Sequence, residues 1–532
     1  MRRGWLLGAL LCLSPLPAHA MLASIVFGGS TPGGFFVSTT GNDSNAGTIG
    51  APFATLGAAQ TAMQAGSVKT TYIRAGTYTP TGTGTDCDGS LSSALDLSSS
   101  DNGETWAVFR ADGYNSAIIN GQAVANSGVG CGVYSAANNL TINGIKWENY
   151  RAYGIESTGS APLIENNWVT NITDTGINGT AGIVTQNAAN GKIVNNRVDT
   201  TVCHGIATFP QTAGGVDNLL IGYNYLYLIS TAFADCGGIY MENNHSFATF
   251  AQTGELVLNN YVQDTNSGGG ANCLYIDDMT SAITLTGDIC RSGGTNGYPC
   301  FFIHGGNTNT ATGLICDEAV DTAKQILTVQ GWTVTTNNST AAGNAMLHFA
   351  STNGWWAGAT VTDVTTPSAI PAATTISSTT ANTAVMSANA AGAGVGNGDT
   401  IQFTYNTAAP TGNALTESLV LANLAGSGVG GGYPCNAANC GTSTIGPNGY
   451  ENYTGTSIKA TGTAGNDLNP QQQIAPAFTC GWEYTLPSNS PAYGSPVNFP
   501  VQPANWGTAG FWGPPGFTIP QVGTVPSPPH TC

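Results

Sequence analysis

Ile164-Glu165-Asn166-Asn167-Trp168-Val169 returns, barely altered, as Ile193-Val194-Asn195-Asn196-Arg197-Val198 and as Val257-Leu258-Asn259-Asn260-Tyr261-Val262. The same spacing runs through Ile221 to Leu226, with Asn224 in fourth place, and through Leu285 to Cys290, with Asp288 there. The fourth-place residues Asn167, Asn196, Asn224, Asn260 and Asp288 lie 29, 28, 36 and 28 residues apart. One unit of this size cannot bury its own apolar face, but stacked units can. Neighbouring copies of a strand would lie about 4.8 Å apart. At that spacing an Asn at one turn position can bond its neighbours as a ladder, and it tolerates left-handed backbone. The uneven separations leave a regular core with loops of different length.

Each unit carries a further short strand: Gly154-Ile155-Glu156, Gly182-Ile183-Val184, Gly205-Ile206-Ala207, Gly238-Ile239-Tyr240, Cys273-Leu274-Tyr275 and Cys300-Phe301-Phe302. A unit has room for two or three strands and their turns. A β-sandwich or propeller is the competing architecture, but fixed blade motifs near 40 residues are absent. The composition agrees with an all-β solenoid. Only 8% of residues are charged, against about 25% in an ordinary domain, and 72 of the 532 are Gly. This disfavours helical bundles and charged disordered chains.

Arg2-Arg3, an apolar run from Trp5 to Leu16 and Ala18-His19-Ala20 have the order of a secretory signal peptide, predicting export from residues 1–20 to the periplasm or beyond. Its removal leaves 10 basic residues against 29 acidic, a net charge of −19. Nucleic acid and anionic membrane surfaces are thereby disfavoured as partners. No later run is long and apolar enough to span a bilayer. Cys12 leaves with the signal, and the even number of cysteines that remain suits disulfides in an oxidising compartment; buried free thiols are the alternative.

Phe35-Phe36-Val37-Ser38, Gly41-Asn42-Asp43-Ser44-Asn45 and Ala51-Pro52-Phe53-Ala54-Thr55-Leu56 are followed by Leu56, Ala59 and Met63 at helical spacing, then by Tyr72-Ile73-Arg74-Ala75-Gly76-Thr77-Tyr78. This opening, with Tyr484-Thr485-Leu486 and Ser490-Pro491-Ala492 near the close, resembles the secreted bacterial proteins of the pectin-lyase-like superfamily. The resemblance covers roughly residues 35–324 and 405–500. It implies a right-handed parallel β-helix with a short N-terminal capping helix. It is specific for architecture and weak for chemistry, because the fold hosts lyases, hydrolases, esterases and binding proteins.

The expected organisation is a signal at 1–20, central coils at 21–324, a small inserted β domain at 325–404, last coils at 405–500 and a Pro-rich tail at 501–532. The insert is rich in Thr, Ala, Val and Gly, and holds Trp355-Trp356, a sugar-stacking platform or simply core. The tail, with Trp512-Gly513-Pro514-Pro515-Gly516-Phe517, packs along the solenoid, caps its last coil or frays.

Aligned on the Gly-Ile start, Ile239 and Met241 alternate with Tyr240 and Glu242, Leu274 and Ile276 with Tyr275 and Asp277, and Phe301 and Ile303 with Phe302 and His304. Period-two alternation sends the second set outward. The expected outer face has an aromatic column, Tyr240, Tyr275 and Phe302, beside a polar column, Glu242, Asp277 and His304. Two carboxylates on adjacent coils raise one pKa and supply an acid and a base. Asp235 and Asp278 are further candidates. Asp235-Cys236-Gly237-Gly238-Ile239-Tyr240 resembles an Asp-x-Gly-Gly-Ile-Tyr stretch of some β-helix carbohydrate enzymes, in which the Asp can be catalytic. His204 and His245 are candidate groove walls; ordinary solvated turn carboxylates and a structural histidine are the plain alternatives. Asp288, Asp317, Glu318 and Asp321 form an acidic patch, where calcium is conceivable only if oxygens converge; no cofactor is otherwise expected. The alignment also offers disulfides Cys203–Cys236, Cys273–Cys300 and Cys290–Cys316, and a small loop closed by Cys435 and Cys440.

Three functions follow. The first is a monomeric, exported glycoside hydrolase on a neutral or weakly charged polysaccharide, using Asp235, Glu242 and Asp277 with Asp278 and His304 in support. The second is a lyase on pectin or alginate, disfavoured by the scarcity of cations; only Arg291 and Lys324 lie near these coils. The third is a carbohydrate-binding or surface protein without catalysis.

Overall fold

The computed structural model describes residues 33–123, 127–209, 216–242, 254–263, 265, 271–277, 280–291, 300–304, 308–319, 323–326, 331–350, 359–380, 382–404, 413–416, 419–422, 444–445, 449–452, 471–472 and 511–517. The expected signal peptide, the closing segment at 484–492, Trp355, Trp356, Asp278, His245, Asp321, Cys435 and Cys440 lie outside these residues.

Three long sheets, of 12, 12 and 10 strands, run in parallel along the molecule; one antiparallel strand, Thr83–Cys87, ends the third. Each coil contributes one strand to each sheet in turn, giving a right-handed parallel β-helix. The coil Leu163–Glu165, Trp168–Ile172 and Ala181–Thr185 shows the pattern: it pairs in register with the next coil at Ile164↔Ile193, Val169↔Val198 and Ile183↔Ile206. Those inward side chains are fully buried in one continuous core. Each contributes about 1.5–3 kcal/mol.

The repeated hexapeptide straddles the corner between the first two sheets, and its two Asn places have separate jobs. The third-place residues Asn166, Asn195, Tyr223 and Asn259 adopt left-handed backbone, φ 52–60°. The fourth-place residues form the ladder. The main-chain N–H and side-chain amide of Asn167 both donate to Asn196 Oδ1, and this repeats from Asn196 to Asn224, Asn224 to Asn260 and Asn260 to Asp288. The expectation that one Asn would supply both the ladder and the left-handed turn is thus divided between neighbours.

The Gly that opens strands of the third sheet is a packing requirement. A Cβ on Gly182 would sit 2.2 Å from Val198 Cγ1 of the next coil, and one on Gly238 would sit 2.4 Å from Val262 Cγ1. Later coils place Cys273 and Cys300 there, while Cys290 and Cys316 continue the column of Val262. Where a glycine faced a valine, a cysteine now faces a cysteine. The bonds are therefore Cys273–Cys290 and Cys300–Cys316, not the expected Cys273–Cys300 and Cys290–Cys316. Cys203–Cys236 forms as expected, and Cys87–Cys131 is additional.

The predicted capping helix is Leu56–Ala65, with Leu56, Ala59 and Met63 buried. Thr55 caps it, its hydroxyl accepting from Ala58 N at 3.2 Å, and Asp43 fixes the preceding turn. Between the coil strands Thr310–Thr312 and Ala414–Thr416, which pair directly, the chain departs into two three-stranded antiparallel sheets with their own core around Leu347, Phe349, Val361, Ile401 and Phe403.

Candidate functional site

The third sheet brings the expected columns together. Tyr240↔Tyr275↔Phe302 are in register on consecutive coils, and Lys324 follows at the next rung. Glu242 and Asp277 continue their strands side by side: Glu242 N donates to Thr208 O, and Asp277 N to Met241 O. The aromatic column points outward but is not the exposed wall expected. Tyr240, Tyr275 and Phe302 are 7%, 1% and 8% exposed and form a second apolar cluster outside the solenoid with Tyr153, Val184 and Ala207. Adjacent large rings on successive rungs cover one another. Tyr240 meets Tyr275 edge-on at 5.2 Å between centroids, and Tyr275 stacks on Phe302 at 4.9 Å.

Two tyrosine–aspartate pairs cross here. Tyr240 donates its hydroxyl forward to Asp277 Oδ2 at 2.8 Å, and Tyr275 donates back to Asp235 Oδ1 at 3.0 Å. Asp277 is buried, whereas Asp235 is exposed, in left-handed backbone just before Cys236. Burial drives the Tyr275 phenol far above its ordinary range, and both aspartates reinforce this through charge and hydrogen bonding. It therefore stays a donor.

His204 opens the strand His204–Thr208 and is buried. Its Nδ1 accepts from Gly237 N at 3.1 Å, and its ring lies 4.2 Å from that of Tyr240. Burial lowers the imidazole to about 3, against the pull of Asp277, so it is neutral. It is a structural support for Tyr240 rather than an open groove wall. The Cys203–Cys236 bond joins the immediate sequence neighbours of His204 and Asp235 and ties their coils. Glu242 is half-buried on the rung before that of Asp277. His304 ends its strand in register with Ile326; its side chain lies outside the described residues.

Of the expected acidic patch, only the Asp288 side chain lies among the described residues. Asp288 is fully buried as the last member of the ladder, and the side chains of Asp317 and Glu318 are outside the described residues. Among the described residues, the two clusters with metal-ligating side chains each contain a disulfide: Cys203 and Cys236 with His204, and Cys87 and Cys131 with Glu156. Their sulfurs are spent in those bonds.

Glu156 was legible only as a strand residue, yet it lies on the same outward column, four rungs from Tyr275 through Val184, Ala207 and Tyr240. It accepts from Asp88 N at 3.2 Å and Gln186 Nε2 at 3.0 Å, and burial lifts it to about 7. The turn that joins Thr83–Cys87 to Leu91–Leu97 reaches this end of the face through Asp88, which no local sequence signal announced.

No family model matches the chain, and no curated protein matches it. Among solved structures, it is similar to a rhamnogalacturonan lyase at 12% identity, covering 53% of this chain and 82% of that one with a TM-score of 0.36. It is similar to the catalytic domain of an α-1,3-glucanase in complex with tetrasaccharides at 15% identity, covering 56% of each chain, TM-score 0.36. A pectate lyase is similar at 15% identity, covering 54% of this chain and 76% of that one, again with a TM-score of 0.36.

Proposed function

We propose that the chain is an exported glycoside hydrolase that cleaves a neutral or weakly charged polysaccharide with Asp235 and Asp277. The observation that carries this reading is that the two carboxylates, from consecutive coils, are held by neighbouring rings of one column, Asp235 by the Tyr275 hydroxyl and Asp277 by the Tyr240 hydroxyl. The reading requires the two carboxyls to stand about 5–5.5 Å apart for retention or 6.5–9.5 Å for inversion. Asp235, the exposed member, is assigned the proton transfer to the leaving oxygen. Asp277, held from behind by Tyr240, is assigned the nucleophile or the base for water. Tyr275 spaces the pair, and Glu242 supports it from the neighbouring rung. Four disulfides among the described residues support export to an oxidising compartment. No described helix is long and apolar enough to cross a membrane.

One observation favours a lyase as the second reading: a basic residue, Lys324, shares the register of Phe302 on the next rung. The test is reducing-sugar release from a polysaccharide panel, with ultraviolet absorbance to detect unsaturated products. Release without absorbance, lost by at least about a hundredfold in Asp235→Asn and in Asp277→Asn at unchanged melting temperature, supports hydrolysis. Release with absorbance supports the lyase. Undiminished rates in both variants sink the assignment, and binding without turnover leaves a carbohydrate-binding protein.

A further inference from the structure

On the corner opposite the third sheet, successive rungs present Tyr223, Tyr225 and Tyr261, with Arg197 at one end. Into this strip the segment Phe511-Trp512-Gly513-Pro514-Pro515-Gly516-Phe517 is seated, some 250–320 residues further along the chain. Trp512 is the anchor. Its Nε1 donates to Asn259 O at 3.0 Å, its ring lies 5.3 Å from that of Tyr261, and it is 3% exposed. Phe511 meets Tyr223 edge-on at 5.3 Å, and Phe517 lies 5.1 Å from Tyr225. Arg197 sits between Phe517, at 4.9 Å, and Trp168, at 4.1 Å. Main-chain groups complete the contact: Gly513 N donates to Tyr223 O at 2.9 Å, and Asn195 Nδ2 donates to Phe511 O at 3.1 Å.

The hydrogen bonds use the left-handed third-place residues of the corner, Asn195, Tyr223 and Asn259. Those residues are fixed by the ladder next to them and do not depend on the segment. The segment itself adds no strand to any of the three sheets. Pro514-Pro515 narrows its conformational freedom before docking, and Gly513 and Gly516 supply φ of 77° and 82°. Phe517 N donates to Pro514 O at 2.9 Å, closing a turn across Pro515-Gly516 that presents the aromatic side chains to the strip.

We propose that the corner from Asn195 to Tyr261 is a peptide-recognition groove whose ligand is the chain's own segment 511–517, held as a detachable strap rather than as part of the coil stack. The strap ties the end of the chain back to the coils that also carry His204, Tyr240 and Tyr275.

The full-length chain and a synthetic peptide of residues 510–518 test this. Wild type, its groove filled, takes up little peptide. Full-length Trp512→Ala and Gly513→Pro, in which the strap loses its anchor or its N–H and backbone angle, bind the peptide saturably at one per chain and about tenfold or more better than wild type. A peptide with Ala in place of its Trp binds either variant on the order of 30-fold more weakly. Tyr261→Ala added to Trp512→Ala abolishes uptake. Folded variants that ignore the peptide, wild type that binds it equally, or failure of both variants to fold would each overturn the proposal, the last because the strap would then be part of the fold.

Discussion

Asp288 Oδ1 receives both hydrogen bonds that Asn260 sends to the next coil, one from its main-chain N–H at 2.8 Å and one from its side-chain amide at 2.9 Å. Asp288 Oδ2 is buried and has no hydrogen-bond partner among the described residues. In every earlier rung that position is an amide nitrogen donating to a carbonyl of the preceding coil: Ile142, Ile164, Ile193 and Ile221. Asp288 fits the site only as the neutral acid, and burial lifts its carboxyl to about 7 against the pull of the Asn260 bonds. Asp288→Asn supplies the missing donor. It should stabilise the chain by ~1–3 kcal/mol at pH 8 and by little below pH 4, where the carboxyl is protonated in both folded and unfolded states. Urea unfolding at the two pH values measures this; equal effects at both would remove the argument.

Adjacent asparagines should respond in opposite ways. Asn167 Oδ1 accepts from Ile145 N, and its amide donates to Ile142 O and Asn196 Oδ1, all in the dry interior. Asn167→Ala strands at least two buried groups and should cost about 3–5 kcal/mol. Asn166 has φ 60° and one side-chain bond, to Asn143. Asn166→Gly keeps the left-handed corner at no steric cost and should lose less than ~1 kcal/mol. Comparable denaturation midpoints for the two variants would contradict this division of labour.

The ladder, the columns of the third sheet and the capping helix were all readable, because each is a periodic pattern in residue type. What escaped was whatever depends on direction within a column or on segments laid over it. Register places Cys273 beside Cys300, but the side chain at that position leans across the corner, as the contact of Gly238 with Val262 shows. Alternation sends Tyr240 and Tyr275 outward, but it does not say that neighbouring rings will bury them. Glu255 precedes an apolar strand, and only the three-dimensional corner reveals that it points into the core.

If the Cys273–Cys290 bond occupies a place otherwise filled by Gly and Val, a Gly–Val pair should restore packing without sulfur. Cys273→Gly with Cys290→Val reproduces Gly238 facing Val262. The double variant loses the ~2–4 kcal/mol expected of a disulfide but keeps a cooperative transition and native circular dichroism. Cys273→Val with Cys290→Val puts two branched side chains where Gly238 and Val262 leave no room, so it should lose a further 1–3 kcal/mol or so. Thermal melts rank the three, and an order in which the two-valine variant equals the glycine–valine one would refute the equivalence.

Glu255 gives the sharpest dependence on pH. It is buried to 1% exposure; its Oε1 accepts from Thr208 Oγ1 at 3.1 Å, and its Oε2 has no hydrogen-bond partner among the described residues. Burial pushes the carboxyl up to about 8, only partly offset by the Thr208 bond. The folded chain therefore holds a proton that the unfolded chain releases above pH ~4.3. By linkage, stability falls as pH rises from about 4 and levels off above about 8. Glu104, lifted to about 8, and Glu156, lifted to about 7, act with the same sign. Wild type should thus melt several degrees lower at pH 8 than at pH 5. Glu255→Gln, which keeps the shape and cannot ionise, should flatten the curve by ~1 kcal/mol or more at pH 8 while changing little at pH 4. Melting temperatures of both chains from pH 4 to pH 9 decide the matter, and a wild-type curve that rises through that window would mean that Glu255 is ionised in the fold.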